Sequence, residues 1–306
     1  MTNEKHIEGN LRYRVAKDRV AKTTMLTLTI VSALLLVIIG VGLFIKSMPI
    51  LAEKSVWELI STSQWKPLKG DFGFFPFLMS TLAVTGIAIA WALPVSLLNA
   101  IMLTENSRPY ARRVVFPVLD ILAGIPSVVY GVWGVLIIVP WISDKLASNF
   151  VEFSTGYTVL AGGIVLGIMI LPMLISLFVE LFTSVPRELR EASMSLGATK
   201  WQTTKFVVLK KTSPGIFAAV ILAVSRAMGE TIAVLMVCGN IIQSPKSLFD
   251  GCYPLPALIA NNYGEMLSLP MYESALMFAA LVLFVVVLLF NLISRVIMNR
   301  IEKSFK

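Results

Sequence analysis

Residues 157–182 read YTVLAGGIVLGIMILPMLISLFVELF and contain a single charged side chain, Glu180. A helix needs about 20 largely apolar residues to cross the hydrocarbon core of a bilayer, and this stretch is long enough. Because lipid offers the backbone no hydrogen-bond partners, an apolar segment of this length crosses a membrane as a helix. The stretch therefore predicts a transmembrane helix and places the chain among the membrane proteins.

Five more stretches share this apolar character, and the composition of the whole chain agrees with them. Hydrophobic residues make up 57% of the chain and charged residues only 14%, against about 25% charged residues in a typical soluble domain. We predict an all-α integral membrane protein with six transmembrane helices. The first helix is predicted to be uncleaved, because no small-residue cleavage site follows it. The predicted spans are residues 23–45, 77–103, 114–139, 157–182, 214–238 and 274–298.

The distribution of Lys and Arg predicts the orientation of these helices. Of the 26 basic residues, 19 lie in the N-terminal segment, the second and fourth loops and the C-terminal end, and six lie in the other three loops. Positive residues stay on the cytoplasmic side of a membrane, so both termini are predicted to be cytoplasmic. The net charge of +8 is therefore interpreted as a topology signal and not as a nucleic-acid-binding surface. The predicted parts are a basic cytoplasmic segment (1–22), the first helix (23–45), an external loop (46–76), a five-helix domain (77–298) with a cytoplasmic loop (183–213), and a cytoplasmic tail (299–306).

Several of the predicted spans contain proline and glycine. Pro94, Pro117, Pro126 and Pro172 all lie inside predicted spans. Proline kinks a helix unless a neighbour bonds the carbonyl it frees, and glycine lets helices approach closely in lipid. Composition leaves two interpretations open, a tightly packed bundle and a bundle that bends.

The cytoplasmic loop before the fifth span has a helix–glycine–helix pattern. Residues 186–201 read PRELREASMSLGATKW. Pro186 and Glu188 favour the start of a first helix, and Gly197 favours its left-handed end. Thr199 favours the start of a second short helix. The apolar side chains of the two helices are Leu189, Ala192, Leu196, Trp201, Phe206 and Leu209. The pattern is compatible with an amphipathic hairpin at the membrane surface and with a docking element for a cytoplasmic partner.

This loop resembles the signature of the bacterial binding-protein-dependent (type I) ABC importer permeases. The signature has Glu-Ala-Ala, three residues, Gly, nine residues, Ile, one residue and Leu-Pro. Its counterparts in this chain are Glu191, Ala192, Ser193, Gly197, Val207 and Leu209. Ser193 replaces the second alanine, and Lys210 stands in the place of the proline, which leaves the end of the second helix open. The resemblance implies that the loop docks on an ATPase subunit through Glu191, Ala192, Ser193, Gly197 and Leu209.

The resemblance extends over about residues 65–297 and is closest to the phosphate permeases of this family. It rests on WKPLKGDFG (65–73), LAGIPSVVYGVWG (122–134) and SRAMGETIAVLMVCGN (225–240). It implies the type I ABC importer transmembrane fold in the cytoplasmic (inner) membrane of a bacterium or archaeon. The implied partners are a homologous second permease subunit, a dimer of ATPase subunits and an external phosphate-binding protein. The chain has no Gly-x-x-x-x-Gly-Lys-Ser/Thr loop, so ATP and magnesium are expected in the ATPase partner and this chain is not expected to be an enzyme or to hold a cofactor.

Charged residues inside the predicted spans are the candidate substrate contacts. Arg226 lies in the middle of the fifth predicted span, and Glu230 follows one helical turn later, about 6 Å nearer the exterior on the same face. An arginine at the bilayer centre costs about 2.5–3.5 kcal/mol, so it is expected to face protein or water. The pair is either an internal ion pair or, with Thr231 beside it, an oxyanion site on a translocation pathway, since the planar guanidinium suits phosphate. Asp120 and Glu180 are interpreted as structural, paired with loop arginines or reached by neighbouring side chains that snorkel.

Three other functions stay open from the sequence. The first is a permease for another oxyanion, such as sulfate or molybdate, from which Glu230 beside Arg226 is the distinguishing feature. The second is an ATP-independent channel, which would need no ATPase partner. A membrane enzyme would need clustered His, Asp or Glu near one membrane interface, whereas the charges here are scattered. The chain has one histidine, His6, and two cysteines, Cys238 and Cys252, which we interpret as unrelated thiols. No metal site is predicted.

Overall fold

The computed structural model describes residues 2–151, 154–264 and 270–304, and most of them are helical. Six helical stretches are long and apolar enough to cross a membrane, as predicted. They are Lys17–Glu53, Phe75–Asn106, Ser127–Asn149, Val159–Thr183, Lys200–Met228 and Met271–Met298. The first, second, fourth and sixth contain or nearly coincide with the predicted spans, whereas the third and fifth are displaced.

The first helix, α1 (Thr2–Glu53), packs along the last helix of the chain, which spans Pro270–Ser304. Near one end of this contact, Lys46 Nζ lies 3.1 Å from Glu273 Oε1. Most apolar side chains of α1 between Val20 and Met48 are exposed. An apolar helix with this exposure is suited to lipid and to contact with other membrane helices.

The loop between the first and second spans folds into a small unit against the second span. Its elements are α2 (Val56–Ser61), β1 (Trp65–Lys66), a 3-10 turn (Pro67–Lys69) and β2 (Asp71–Phe72). The strands are antiparallel, with Trp65 opposite Phe72. The Trp65 ring lies edge-on to Phe72, Phe74 and Phe77, with ring centroids 5.5, 5.3 and 5.1 Å away. Edge-to-face aromatic pairs at these separations are favourable, so Trp65 anchors the hairpin to the start of the second span.

The centre of the bundle is the contact between α3 (Phe75–Ile101) and α7 (Val159–Thr183). A Cβ atom on Gly167 would lie 2.4 Å from the indole of Trp91, so a side chain there would force the two helices apart. Trp91 also donates its Nε1–H to the carbonyl oxygen of Gly163 at 3.2 Å. Close packing through small residues, as in other membrane bundles, therefore explains these glycines.

The prediction of one helix over residues 114–139 is wrong, because the helix breaks at Pro126. α4 (Pro109–Gly124) ends there, and Ile125 is extended, with φ −66° and ψ 129°. Proline has no N–H and disfavours helical backbone in the residue before it. The Tyr130 hydroxyl bridges the break by donating to the Leu122 carbonyl oxygen at 2.8 Å. The third span follows the break and consists of α5 (Ser127–Trp133), a π-helical turn (Gly134–Ile138), α6 (Val139–Trp141), a second π-helical turn (Ile142–Leu146) and a 3-10 turn (Ala147–Asn149).

The fifth span starts earlier in the chain than predicted and ends earlier. α8 (Arg187–Ser195) lies in the fourth loop, and the span follows it. Its parts are α9 (Lys200–Thr203), a π-helical turn (Thr204–Val208) and α10 (Leu209–Met228), and after a turn at residues 229–231 comes α11 (Ile232–Val237). The apolar run at residues 214–238 therefore gives the wrong boundaries, since hydropathy detects neither the basic first turns of the helix nor the turn that ends it.

The loop after α11 folds back against the end of that helix and leads to α12 (Leu255–Asn262) and α13 (Pro270–Ser304). The Cys252 N–H donates to the Cys238 carbonyl oxygen at 2.8 Å, and both side chains are fully buried. Both thiols are free, as interpreted from the sequence, but the backbone bond shows that the two cysteines are neighbours in the fold. The contact depends on the path of the loop, which hydrophobic periodicity does not reveal.

Impermeant thiol labelling in intact cells tests the predicted orientation. Ser61 ends α2 and Ser195 ends α8, and both are exposed, whereas the two native cysteines are fully buried. We expect an impermeant maleimide to label Ser61→Cys from outside and to label Ser195→Cys only after permeabilisation. Labelling in the reverse order would place both termini outside and contradict the prediction from the positive residues.

Candidate functional site

The loop between the fourth and fifth spans folds as two helices joined at Gly197, and we call residues 186–208 the elbow. Gly197 has φ +88°, in the left-handed region. Its N–H donates to the Met194 carbonyl oxygen at 2.9 Å, and the Ala198 N–H donates to the Ser193 carbonyl oxygen at 3.3 Å. Together these two bonds form a Schellman end, which favours glycine. The predicted glycine cap is confirmed.

The second arm of the elbow begins with the predicted cap and continues into the membrane. The Thr199 and Gln202 side chains each accept from the other's backbone N–H, at 3.3 and 2.8 Å, as a capping box. Further along, Pro214 cannot bond the Lys210 carbonyl oxygen, and the Ser213 hydroxyl donates to that oxygen at 3.0 Å. The helix is therefore not interrupted at Lys210, where the family signature has proline, and it runs on to the end of α10.

The free surface of the elbow is rich in apolar side chains. Leu196 is 89% exposed, Phe206 61% and Trp201 58%, and α8 buries none of its residues. Leu189 and Met194 on the same helix are exposed as well. Neighbouring exposed apolar residues of this size are typical of an interaction surface. The elbow is thus a candidate docking surface.

The residues predicted to dock are divided between this surface and the interior. Glu191 and Ala192 are exposed on α8. Ser193 is half-buried, and its hydroxyl lies 3.0 Å from the hydroxyl of the buried Thr203, so it joins the two arms of the elbow. Leu209 packs against the core of the bundle. The structure therefore separates Leu209 from the exposed surface and gives Ser193 an internal hydrogen bond.

A single arginine that sequence reasoning missed, Arg190, fixes the elbow to the bundle. Its Nη2 lies 2.9 Å from Glu105 Oε1, and its Nε–H donates to Glu105 Oε2 at 3.3 Å. The same guanidinium donates to the carbonyl oxygens of Phe182 at 2.7 Å and Val185 at 2.5 Å. Arg190 thus ties α8 to the end of α7 and to the π-helical turn after α3 (Met102–Asn106). Opposite charges in two cytoplasmic loops were the only signal of this contact.

Of the two explanations given for Asp120 and Glu180, the pairing with loop arginines is not formed. Neither carboxylate is within ion-pair distance of a basic group in the described part of the chain. Arg112 instead donates to two backbone carbonyls at the end of the second span, at 2.7 and 3.0 Å, while Arg190 pairs with Glu105. Carbonyls at the C-terminal end of a helix carry partial negative charge, so they compete with carboxylates for these arginines.

The Arg226 side chain is exposed near the C-terminal end of α10. Its Nη1 donates to the sulfur of Met173 at 3.2 Å, near the middle of α7. Among the side chains that the structure describes, no carboxylate lies within 4.0 Å of its guanidinium. An arginine within a span is too costly to leave in lipid, so this guanidinium must face water or another chain.

The sequence predicts that Glu230 lies one turn beyond Arg226 on the same helix face. This prediction is wrong, because α10 ends at Met228, before Glu230. One Glu230 oxygen accepts from the Ala233 N–H at 3.3 Å, at the start of α11, and the Thr231 hydroxyl donates to the Gly229 carbonyl oxygen at 3.2 Å. Side chains that bond the local backbone in this way compete with continued helix. The predicted alternative of an Arg226–Glu230 ion pair is not formed.

A single match to a known protein family covers both the elbow and the fifth span. Residues 92–306 match the family described as "binding-protein-dependent transport system inner membrane component". The chain belongs to this family. It is an ABC transporter permease subunit and a multi-pass protein of the inner membrane.

Two relatives of this permease cover most of its length. It is 38% identical over 245 residues to the probable ABC transporter permease protein YqgH of Bacillus subtilis, covering 79% of this chain and 78% of the relative. It is 34% identical over 270 residues to the phosphate transport system permease protein PstC of Pasteurella multocida, covering 81% and 84%.

The fold of the permease is also found among solved structures. A chain of a bacterial ABC transporter involved in the import of alginate superposes with a TM-score of 0.58 and 17% identity, covering 83% of this permease and 87% of that chain. The expected type I ABC importer transmembrane fold is confirmed.

Proposed function

We propose that this permease carries inorganic phosphate inward as one subunit of an ATP-driven importer. The observation that carries the proposal is the exposed guanidinium of Arg226, which lies inside a membrane span without a carboxylate partner in the described residues. The names of its PstC relatives support phosphate as the substrate.

The chemistry of Arg226 supports an oxyanion. One guanidinium N–H is used by Met173, and a sulfur is a weak acceptor. The other N–H groups can bind two oxygens of a phosphate in one plane, and such charge-assisted bonds are among the stronger hydrogen bonds. Phosphate is a better partner for this group than any neighbour that the permease itself supplies.

The surfaces of the permease support the proposed assembly. The exposed apolar side chains of the elbow would dock on an ATPase subunit in the cytoplasm, where ATP and magnesium would bind. The apolar residues exposed on α4 and α5 would face a homologous second permease subunit. An external phosphate-binding protein would deliver the substrate from the other side of the membrane of a bacterium or archaeon.

Reconstitution tests this assignment. Proteoliposomes with the permease, its second permease subunit, the ATPase and the binding protein are expected to take up radioactive phosphate only with ATP and magnesium. The permease alone should take up none. Uptake by the permease alone without ATP would indicate a channel, and uptake of sulfate or molybdate in preference to phosphate would assign another oxyanion.

A further inference from the structure

The two cysteines of the permease meet at the end of α11, although 13 residues separate them in sequence. The backbone bond from the Cys252 N–H to the Cys238 carbonyl oxygen is 2.8 Å long, and Gly239 forms a parallel β-bridge with Cys252. Both thiols are free in the structure and therefore available to form a bond. Cys238 directly precedes the bridged Gly239, so the two cysteines are neighbours in the fold as well as bonded through their backbones.

The cysteines lie at the end of the bundle opposite the elbow. The loop that carries Cys252 is bonded to the first turn of α7, where the Val159 N–H donates to the Asp250 carbonyl oxygen at 2.9 Å. A Cβ atom on Gly162, in the same turn, would lie 2.5 Å from the Cys238 sulfur. The other end of α7 leads into the elbow. If the elbow is cytoplasmic, as the proposed function requires, the cysteines are near the external surface.

We propose that Cys238 and Cys252 form a disulfide bond at the external side of the permease. External compartments favour disulfides, whereas the cytoplasm keeps thiols reduced. Both thiols are fully buried in the folded chain, so the bond forms while the loop is still accessible. A disulfide oxidant, such as a membrane-associated dithiol–disulfide oxidoreductase, exchanges with them: one S–S bond forms between the cysteines, and the oxidant takes two electrons and two protons to become two thiols.

The bond would hold α11, which follows the fifth span, to α3 in the second span. Cys238 directly follows α11, and just after Cys252 the Tyr253 and Leu255 N–H groups donate to the Ser80 and Thr81 hydroxyls of α3, at 3.3 and 2.8 Å. A covalent link at Cys252 therefore fastens α11 to α3 through this short segment. A movement of α10 would then change the backbone of the turn at residues 229–231 and leave α11 in place.

Thiol counting on the whole transporter tests the bond. Cells are quenched with trichloroacetic acid, and the protein is denatured in detergent with N-ethylmaleimide and without reductant. We expect no label on either cysteine, a linked peptide pair with the mass of a disulfide, and two labels after reduction. The control variant Cys252→Ser leaves Cys238 unpaired and should carry one label. Two labels on the unreduced native chain would overturn the proposal.

A melting measurement tests whether the bond stabilises the fold. Reductant applied to the wild-type complex is expected to lower its melting temperature by about 5 °C, since a link closing a loop of this size constrains the unfolded chain. The variant Cys238→Ser/Cys252→Ser should melt near the reduced wild type and not respond to reductant. If reductant left the melting temperature of the wild-type complex unchanged, with reduction verified by labelling, the proposed tethering role would be overturned. Thiol counting does not depend on transport, so a missing disulfide with normal phosphate uptake would leave the proposed function standing.

Discussion

Replacing Arg226 by glutamine is expected to reduce ATP-driven phosphate uptake by the reconstituted transporter at least about 100-fold. Each hydrogen bond to a charged group contributes about 1.5–3 kcal/mol, and about 1.4 kcal/mol corresponds to a tenfold change in rate. Loss of a two-pronged contact with phosphate therefore costs two orders of magnitude or more. Arg226→Lys keeps the charge without the planar fork, so a loss of about tenfold is expected.

Two controls test whether the loss of uptake is specific to Arg226. Arg295→Gln removes another exposed arginine from a membrane helix, α13, and should leave the initial rate of uptake unchanged. The amount of assembled complex, measured by size-exclusion chromatography, should be the same for Arg226→Gln and wild type. A normally assembled Arg226→Gln complex with the wild-type uptake rate would remove Arg226 from the pathway.

The same site gives a selectivity measurement through Glu230→Gln. The amide keeps an oxygen for the Ala233 N–H and removes the negative charge, whereas Glu230→Ala removes both. A carboxylate repels fully deprotonated sulfate but accepts a hydrogen bond from protonated phosphate. In a variant that works without the binding protein, we expect Glu230→Gln to weaken phosphate uptake and to admit more sulfate. An unchanged rate and selectivity in a normally assembled complex would contradict any role of Glu230 in recognition.

Arg190→Gln is expected to reduce transport about tenfold or more and to lower the stability of the permease by about 3 kcal/mol. The ion pair with Glu105 is largely buried, with 17% and 14% of the side chains exposed. Removing one member of a buried pair leaves the other charge without a partner, which costs about 3–5 kcal/mol. Arg190→Lys keeps a charge but cannot make all four contacts of the guanidinium. We expect the stability of Arg190→Lys to lie between that of the wild type and that of Arg190→Gln.

The matched control for Arg190 is Arg187, which is exposed three residues earlier on α8. Arg187→Gln should leave the melting temperature unchanged, because this side chain makes no ion pair in the described part of the chain. Arg190→Gln is expected to insert in the membrane but to hydrolyse ATP with little uptake, because the elbow has lost its fixed position. Coupled transport at the wild-type rate by Arg190→Gln would show that the elbow does not depend on this anchor.

Local sequence rules predicted the parts of the fold that depend on a few neighbouring residues. The six spans follow from apolar length, and the caps at Gly197 and Thr199 follow from backbone and side-chain preferences within a few residues. Pro126 ended a helix, whereas Pro94 and Pro172 did not. The outcome at a proline depends on whether surrounding packing supports the helix, so sequence alone left that question open.

Contacts between distant segments could not be predicted in the same way. Arg190 meets Glu105 across 85 residues, and Cys238 meets Cys252 through a loop with no regular period. The pair of Arg226 and Glu230 was placed on one helix face because an uninterrupted apolar run predicts an uninterrupted helix. Hydropathy does not report the backbone bonds of Glu230 and Thr231 that end α10 nearby.

The second arm of the elbow is continuous with α10, so a movement of the elbow is transmitted along the fifth span. Lys200 and Arg226 are ends of one helical rod about 40 Å long, at a rise of 1.5 Å per residue. A tilt of this rod by about 5° about its cytoplasmic end would displace the backbone of Arg226 by about 3.5 Å. That displacement exceeds the 3.2 Å between Arg226 Nη1 and Met173 Sδ. If the elbow docks on an ATPase and Arg226 binds the anion, as proposed, a small rotation of the elbow would be sufficient to engage or release that anion.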